Sequence, residues 1–318
     1  MARMTIHNLP EELLAEILSH FALEQHNVDF ATLKSCALVH STWRDLAHRI
    51  ICEAGVELET KADVAQWTRT RPLRRYAPRE LGVRAYKSRA ALRKLMDGCD
   101  GLRWLMLATP SRNFDPAVLA HPALSDLRTL ILQGEILHSS PDLVFPFRLR
   151  SLVVADTAFR SPHLASFLGT ITKGSSTSLK TLSLSGFSSN AHEAVASSLL
   201  SFASSLRHLG LSLPSSDTSD PYHPLLESCT SLESFECTSL PASLLSHLPS
   251  TLVGLATTED SPRIPIPALA VALERLKGIK RLYFACSRDE FRRLDGADRL
   301  VSRTEARGVK WWFADDLD

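Results

Sequence analysis

Much that would betray a function at a glance is missing from this sequence. Its six cysteines (Cys36, Cys52, Cys99, Cys229, Cys237, Cys286) never fall as C-x-x-C, and five of them sit in apolar segments. Neither a disulfide framework nor a zinc knuckle is expected. The twelve histidines are scattered, and the nearest approach to a ligand pair, His40 and His48, has no Cys, Asp or Glu pattern beside it. No metal and no cofactor is therefore expected. There is no G-x-G-x-x-G and no G-x-S-x-G around Ser185 to Ser189, and Lys173-Gly174-Ser175 reverses the order of a phosphate loop. These absences remove the easy arguments for an enzyme. Charge of one sign is also missing: 36 Lys and Arg stand against 35 Asp and Glu, a formal charge of +1. A nucleic-acid partner would ask for a basic surplus. No apolar run reaches the roughly 18 to 20 residues of a membrane span. The start, Met1 to His7, lacks a basic-then-apolar secretory pattern. The expectation is an intracellular protein, cytoplasmic or nuclear, with no membrane and no nucleic-acid partner.

What the sequence does have is a core. With 318 residues and 44% hydrophobic content, the chain can bury one large domain or two ordinary ones. The first fifty residues read as three short helices. The run from Leu9 to Phe21 places Pro10 at the first helical position and Glu11 and Glu12 in the first turn. Leu13, Leu14, Ile17, Leu18 and Phe21 then make one broad apolar face. After a polar stretch from Glu24 to Asp29, Thr32 is the expected cap of a helix to Val39. Ser41 is the expected cap of a third, on which Trp43, Leu46, Ala47, Ile50 and Ile51 share a face.

The pattern of Leu9-Pro10, Glu12, Leu13, Leu14, Ile17 and Leu18, then Leu33 and Leu38-Val39, then Trp43-Arg44-Asp45-Leu46-Ala47 resembles the F-box. It departs from that family in a longer first connection, where Thr32-Leu33 replaces Asp-Leu. Three helices totalling about 40 residues are marginal on their own, and the first has more Leu and Ile than one small core needs. The resemblance implies a partner for the surplus, namely the small adaptor protein that links F-box chains to a cullin scaffold. Its implied contacts are Leu9, Pro10, Leu14, Ile17, Leu18, Leu38 and Val39. Trp43 is left open between core and contact.

The remainder repeats itself. L-[RK]-x-L-x-L recurs from Leu102, Leu127, Leu149, Leu179 and Leu206, with looser copies from Leu232, Leu252 and Ile279. The eight copies cover 102 to 284 at a mean spacing of about 25 residues. Degenerate copies stand near 79–83 and 309–313, and helical stretches with start signals lie between, such as His163 to Thr172, His192 to Ser204 and Pro265 to Leu276. This resembles the irregular, fungal-like leucine-rich repeats that often follow an F-box. The position three after the last strand leucine, usually Asn or Cys in that family, is here Pro110, Glu135, Thr157, Phe187, Pro214, Leu240, Asp260 and Ser287. The expected fold class is therefore α/β: an F-box helical domain at 1–52, then an irregular solenoid at 53–318 with parallel strands on the concave face and helices on the convex one. Trp311 and Trp312, with Asp315 and Asp316, are expected to close its end. A doubly wound sheet would lack the repeated register.

Strand alternation says which residues face a ligand. The third, fifth and seventh repeat positions point away from the helices, and among them only Glu236 and Arg281 are charged. Without an Arg cluster, phosphate-dependent recognition is not expected. Trp104, Met106, Ile131 and Val153 form a candidate apolar binding patch, with Arg281 and Tyr283 as further target-binding candidates. Coverage of the patch by a loop is the alternative. Arg103, Arg128, Arg150, Lys180, Arg207 and Lys280 occupy the second repeat position and read as a solvated rim offset by acids such as Asp100 and Asp126. Together the resemblances imply a non-catalytic substrate-recognition subunit of a cullin-based, SCF-type ubiquitin ligase, its repeats holding an unknown target protein. A scaffold that delivers no ubiquitin, and an enzyme whose site carries no recognised motif, are the rivals.

Overall fold

The computed structural model describes residues 10–23, 30–70, 76–85, 88–136, 142–155, 163–186, 191–213, 221–259 and 264–316. The chain divides into two compact units. One comprises 1–109, 117–131 and 145–147, and the other 110–116, 132–144 and 148–318.

The first unit begins with helices α1 (Glu11–Leu23), α2 (Phe30–Val39) and α3 (Ser41–Ala54). All three start at slightly different places from those the sequence predicts. Pro10 lies just before α1, its carbonyl accepting the Leu14 N–H at 3.1 Å, and the His40 carbonyl does the same for Arg44 at 2.9 Å. Thr32 falls inside α2 rather than capping it, since the helix already begins at Phe30. The helices close over Leu14, Leu18, Leu33, Ala37, Trp43, Leu46, Ala47 and Ile50. Arg44 then donates from Nε to the Ala37 carbonyl at 3.3 Å, satisfying an acceptor that the end of α2 leaves free.

Gly55 ends α3. Its φ of +102° is a conformation that L side chains rarely adopt, and a Cβ there would meet Glu80 Cβ at 3.3 Å. The chain continues into β1 (Val56–Leu58), α4 (Lys61–Thr70), β2 (Glu80–Val83), α5 (Arg89–Met96), β3 (Trp104–Phe114) and β4 (Thr129–Ile136). Thr60 and Asp63 cap α4 reciprocally. β1 pairs with β2, and β2 with β3, all parallel.

The second unit carries β5 (Ser151–Ala155), α6 (His163–Thr172), β6 (Thr181–Leu184), α7 (His192–Leu199), β7 (His208–Leu211), α8 (His223–Ser228), β8 (Ser234–Cys237), α9 (Ala242–Leu245), β9 (Gly254–Thr257), α10 (Ile266–Arg275), β10 (Arg281–Phe284), α11 (Arg288–Arg292), α12 (Ala297–Glu305) and β11 (Lys310–Phe313). Strand order, from β1 to β11, is chain order. That is the topology of stacked strand-plus-helix repeats. A doubly wound sheet would reverse direction at a switch point.

From β5 to β11 every pairing is parallel and in register. The register stacks Leu152, Leu182, Leu209, Phe235, Leu255, Leu282 and Trp311 in one buried row. Each fully buried side chain of this kind contributes about 1.5 to 3 kcal/mol.

The sequence repeats no Asn or Cys after the strands, and among the described residues other groups link one repeat to the next. The carbonyl at the second repeat position accepts two N–H groups from the next repeat. Lys180 O, for example, accepts from Arg207 at 2.8 Å and His208 at 2.9 Å, and Arg207 O from Glu233 at 2.8 Å and Ser234 at 2.9 Å. A hydroxyl one residue before the repeat also donates to the first leucine of the preceding one: Ser178 to Leu149 O at 2.7 Å, Ser205 to Leu179 O at 2.8 Å and Thr251 to Leu232 O at 2.8 Å.

The end is closed by aromatics. Phe284, Phe291, Trp311 and Phe313 pack with ring centroids 5.1 to 6.5 Å apart, and Trp311 Nε1 donates to Thr304 Oγ1 at 2.9 Å. Arg288 lies 4.8 Å over the Phe313 ring and pairs with Asp316 at 3.0 Å. The Phe313 amide at 2.9 Å, and then Arg288, hold the Asp316 carboxyl below its ordinary value.

Candidate functional site

Two surfaces present chemistry, one in each unit. On the helices of the first unit, packing sorts the apolar residues into two sets. Leu14 and Leu18 point into the three-helix core, as does Trp43, at 9% exposure. Leu14 and Leu18, expected as contacts, and Trp43, left open between core and contact, are held by their own bundle and have little surface left for a partner. Ile17 is 44% exposed, Leu38 82% and Val39 55%. Pro10 is exposed as well, whereas Leu9 lies outside the described residues. Leu13, not among the expected contacts, is 46% exposed. It stands one turn before Ile17, so the two share a stripe of α1. The spacing i, i+4 was the signal that could have placed it there.

An exposed apolar pair on α1 and another at the end of α2 are costly to leave in water. They are the surplus that the sequence indicated, carried by Leu13 and Ile17 rather than by Leu14 and Leu18.

On the sheet face turned away from the helices, alternation holds in β5, β6, β8, β10 and β11, while in β7 and β9 the face positions Gly210 and Gly254 are themselves buried. Ser151, Val153 and Ala155, and likewise Thr181 and Ser183, are half-buried between fully buried neighbours. Trp104, Met106 and Ile131 are half-buried in the first unit, and Val153 belongs to the second. Trp104 is in register with Glu80, and Met106 with Gly82. The expected patch thus has a carboxylate-bearing residue as its strand neighbour. At the second repeat position Arg207 pairs with Glu233 at 3.2 Å, an acid supplied by the next repeat itself.

Arg281 and Tyr283 line an open depression of about 490 Å³ with His208, Ser234, Gly254, Ala256 and Trp312. Its floor is low because Gly254 and Ala256 stand where other strands carry larger side chains. Trp312 completes the wall one strand beyond Tyr283. The closing copy at 309–313 contributes to the face like any other repeat, and extending the alternation to it would have found this residue.

Among the described residues, no group of three or more His, Cys, Asp or Glu could hold a metal ion. Burial pushes the Cys229 thiol up to about 12, so it is not a thiolate at neutral pH. No helix among the described residues is long and apolar enough to cross a membrane.

Residues 6–51 match the F-box-like family model. The F-box-like domain contains α1, α2, most of α3 and both exposed pairs, and repeats with the leucine-rich register follow it. No curated protein matches the chain. Similar solved structures include an internalin (InlF) from Listeria monocytogenes str. 4b F2365, at 15% identity and a TM-score of 0.46, covering 97% of this chain and 92% of that one.

Proposed function

We propose that the protein is a non-catalytic substrate-recognition subunit of a cullin-based ubiquitin ligase. The F-box at 1–52 binds the small adaptor, and the repeats at 53–318 hold a target protein. The observation that carries this reading is the apolar surface left open on the F-box helices by Leu13, Ile17, Leu38 and Val39. A bundle with eight buried core residues has satisfied its own packing, so these exposed groups serve association. The protein's share in catalysis is proximity: it raises the effective concentration of a target near an activated ubiquitin carried by another subunit. It works inside the cell, where adaptor and cullin are.

The reading is tested by co-expressing the full chain with adaptor and cullin. The wild type is expected to copurify with both, and Ile17→Asp with neither, while thermal unfolding of the repeats stays unchanged. Copurification equal for the two proteins would remove the interface. The assembled complex, supplied with activating and conjugating enzymes, is then expected to ubiquitinate a target captured on the repeats. Capture without transfer would make the protein a scaffold.

A further inference from the structure

The depression on the second unit carries its own chemical signature. Register sets two rows across it: His208, Ser234, Gly254, Arg281 and Lys310, and beside them Gly210, Glu236, Ala256, Tyr283 and Trp312. The first row has two adjacent cations, Arg281 and Lys310, and no acid; of the two, Arg281 lines the depression. A Cβ on Gly254 would stand 3.9 Å from both Nε and Nη2 of Arg281 and 3.5 Å from Ser234 Oγ, so the guanidinium lies across the bare glycine. No described residue makes a hydrogen bond or ion pair with the Arg281 side chain, which is exposed. Its planar fork of donors suits a carboxylate. Glu236 belongs to the second row, two strands away from Tyr283, roughly 10 Å across the sheet. It does not line the depression. The half-buried Tyr283 and Trp312 form an aromatic wall directly beside the cations. Such rings anchor an apolar group at little entropic cost.

We propose that this depression is the target-recognition subsite. It takes an extended peptide in which an Asp or Glu pairs with Arg281 and a neighbouring apolar side chain packs on Tyr283 and Trp312. The assignment rests on the receptor reading above, and of the candidates offered by the sequence it favours Arg281 and Tyr283, on the last five strands, over the Trp104 patch. Complementarity of charge chooses the occupant: the unpaired Arg281 asks for an anion, and the apolar wall asks that it sit in an apolar context.

The test uses the full chain as bait for a displayed library of fully random octapeptides. Selected peptides are expected to share one Asp or Glu next to a Leu, Ile, Phe or Tyr. A synthetic peptide of the consensus is expected to lose affinity about tenfold or more against Arg281→Gln, and by a similar factor when its own acid is changed to the amide. Gly254→Val, which fills the floor beneath the Arg281 guanidinium and leaves the net charge unchanged, is expected to block binding too. Selection of peptides without an acid, no consensus at all, or equal affinity for wild type and Arg281→Gln would overturn the assignment. Adaptor copurification is measured on the same preparations. Intact adaptor binding with a failed selection places the fault in this subsite, and lost adaptor binding places it in the receptor reading.

Discussion

Leu13 and Leu14 are neighbours with opposite fates, and the difference is one helical step of about 100°. Leu14 is held by the core of the bundle, whereas Leu13 keeps 46% of its surface exposed. Replacing Leu18 by Ala is therefore expected to cost about 2 to 5 kcal/mol. Leu38→Ser is expected to change stability by no more than about 0.5 kcal/mol. Thermal unfolding of the two variants separates core from surface. The sequence pattern named the apolar residues of α1 correctly as a set, but a five-residue stripe around a short helix does not say which edge meets the other helices. That edge is decided by how α2 and α3 cross it, which no local period encodes. Cys229 gives a second check at this scale: with its thiol pushed up to about 12 by burial, it is expected to resist a thiol reagent at neutral pH until the chain unfolds. Rapid labelling in the native state would contradict its burial.

Among the elements, the strands were the most legible, because L-x-x-L-x-L fixes both the buried side chains and the register between neighbours. The strands β2 and β11 lie at the two degenerate copies, where Leu81 and Trp311 take the place of the strand leucine. The short helices α8, α9 and α11, of six, four and five residues, were not legible, since so few residues show no helical period. The hydroxyl ladder was also missed, although Ser178, Ser205 and Thr251 recur just before the repeat leucine. Ser205→Ala is expected to cost about 1 kcal/mol by leaving the half-buried contact to Leu179 unmade. Ser201→Ala, on an exposed neighbour, is the control. The closing element is expected to respond to pH. Glu290 and Asp316 both sit below their ordinary values of 4.5 and 3.8, held there first by backbone N–H groups of Ser287 and Phe313. A lowered carboxyl stabilises the fold in full above its unfolded value and loses that contribution as pH falls through the folded one. Acid titration below those values is expected to loosen α11 and β11, and Asp316→Asn to remove part of that pH dependence.

At the scale of the molecule, two sets of repeated signals meet in one chain. The helical period of the first fifty residues and the repeated leucine register of the rest specify an F-box followed by a solenoid. What they leave unsaid is where a target sits. That depends on absences, glycine at 254 and alanine at 256, which matter only once neighbouring strands put Arg281, Tyr283 and Trp312 around them.

The central claim is that the F-box helices bind an adaptor through their exposed pairs, with Leu14 and Leu18 serving only the core. Calorimetric titration of the purified adaptor into the full chain tests it most directly. It compares the wild type with Leu13→Asp combined with Ile17→Asp, and with Val271→Asp, which alters an exposed apolar residue far along the chain on α10. The account predicts tight binding for the wild type and Val271→Asp and none for the double variant, all three unfolding at similar temperatures. Equal binding by all three, or no binding by the wild type, would contradict it.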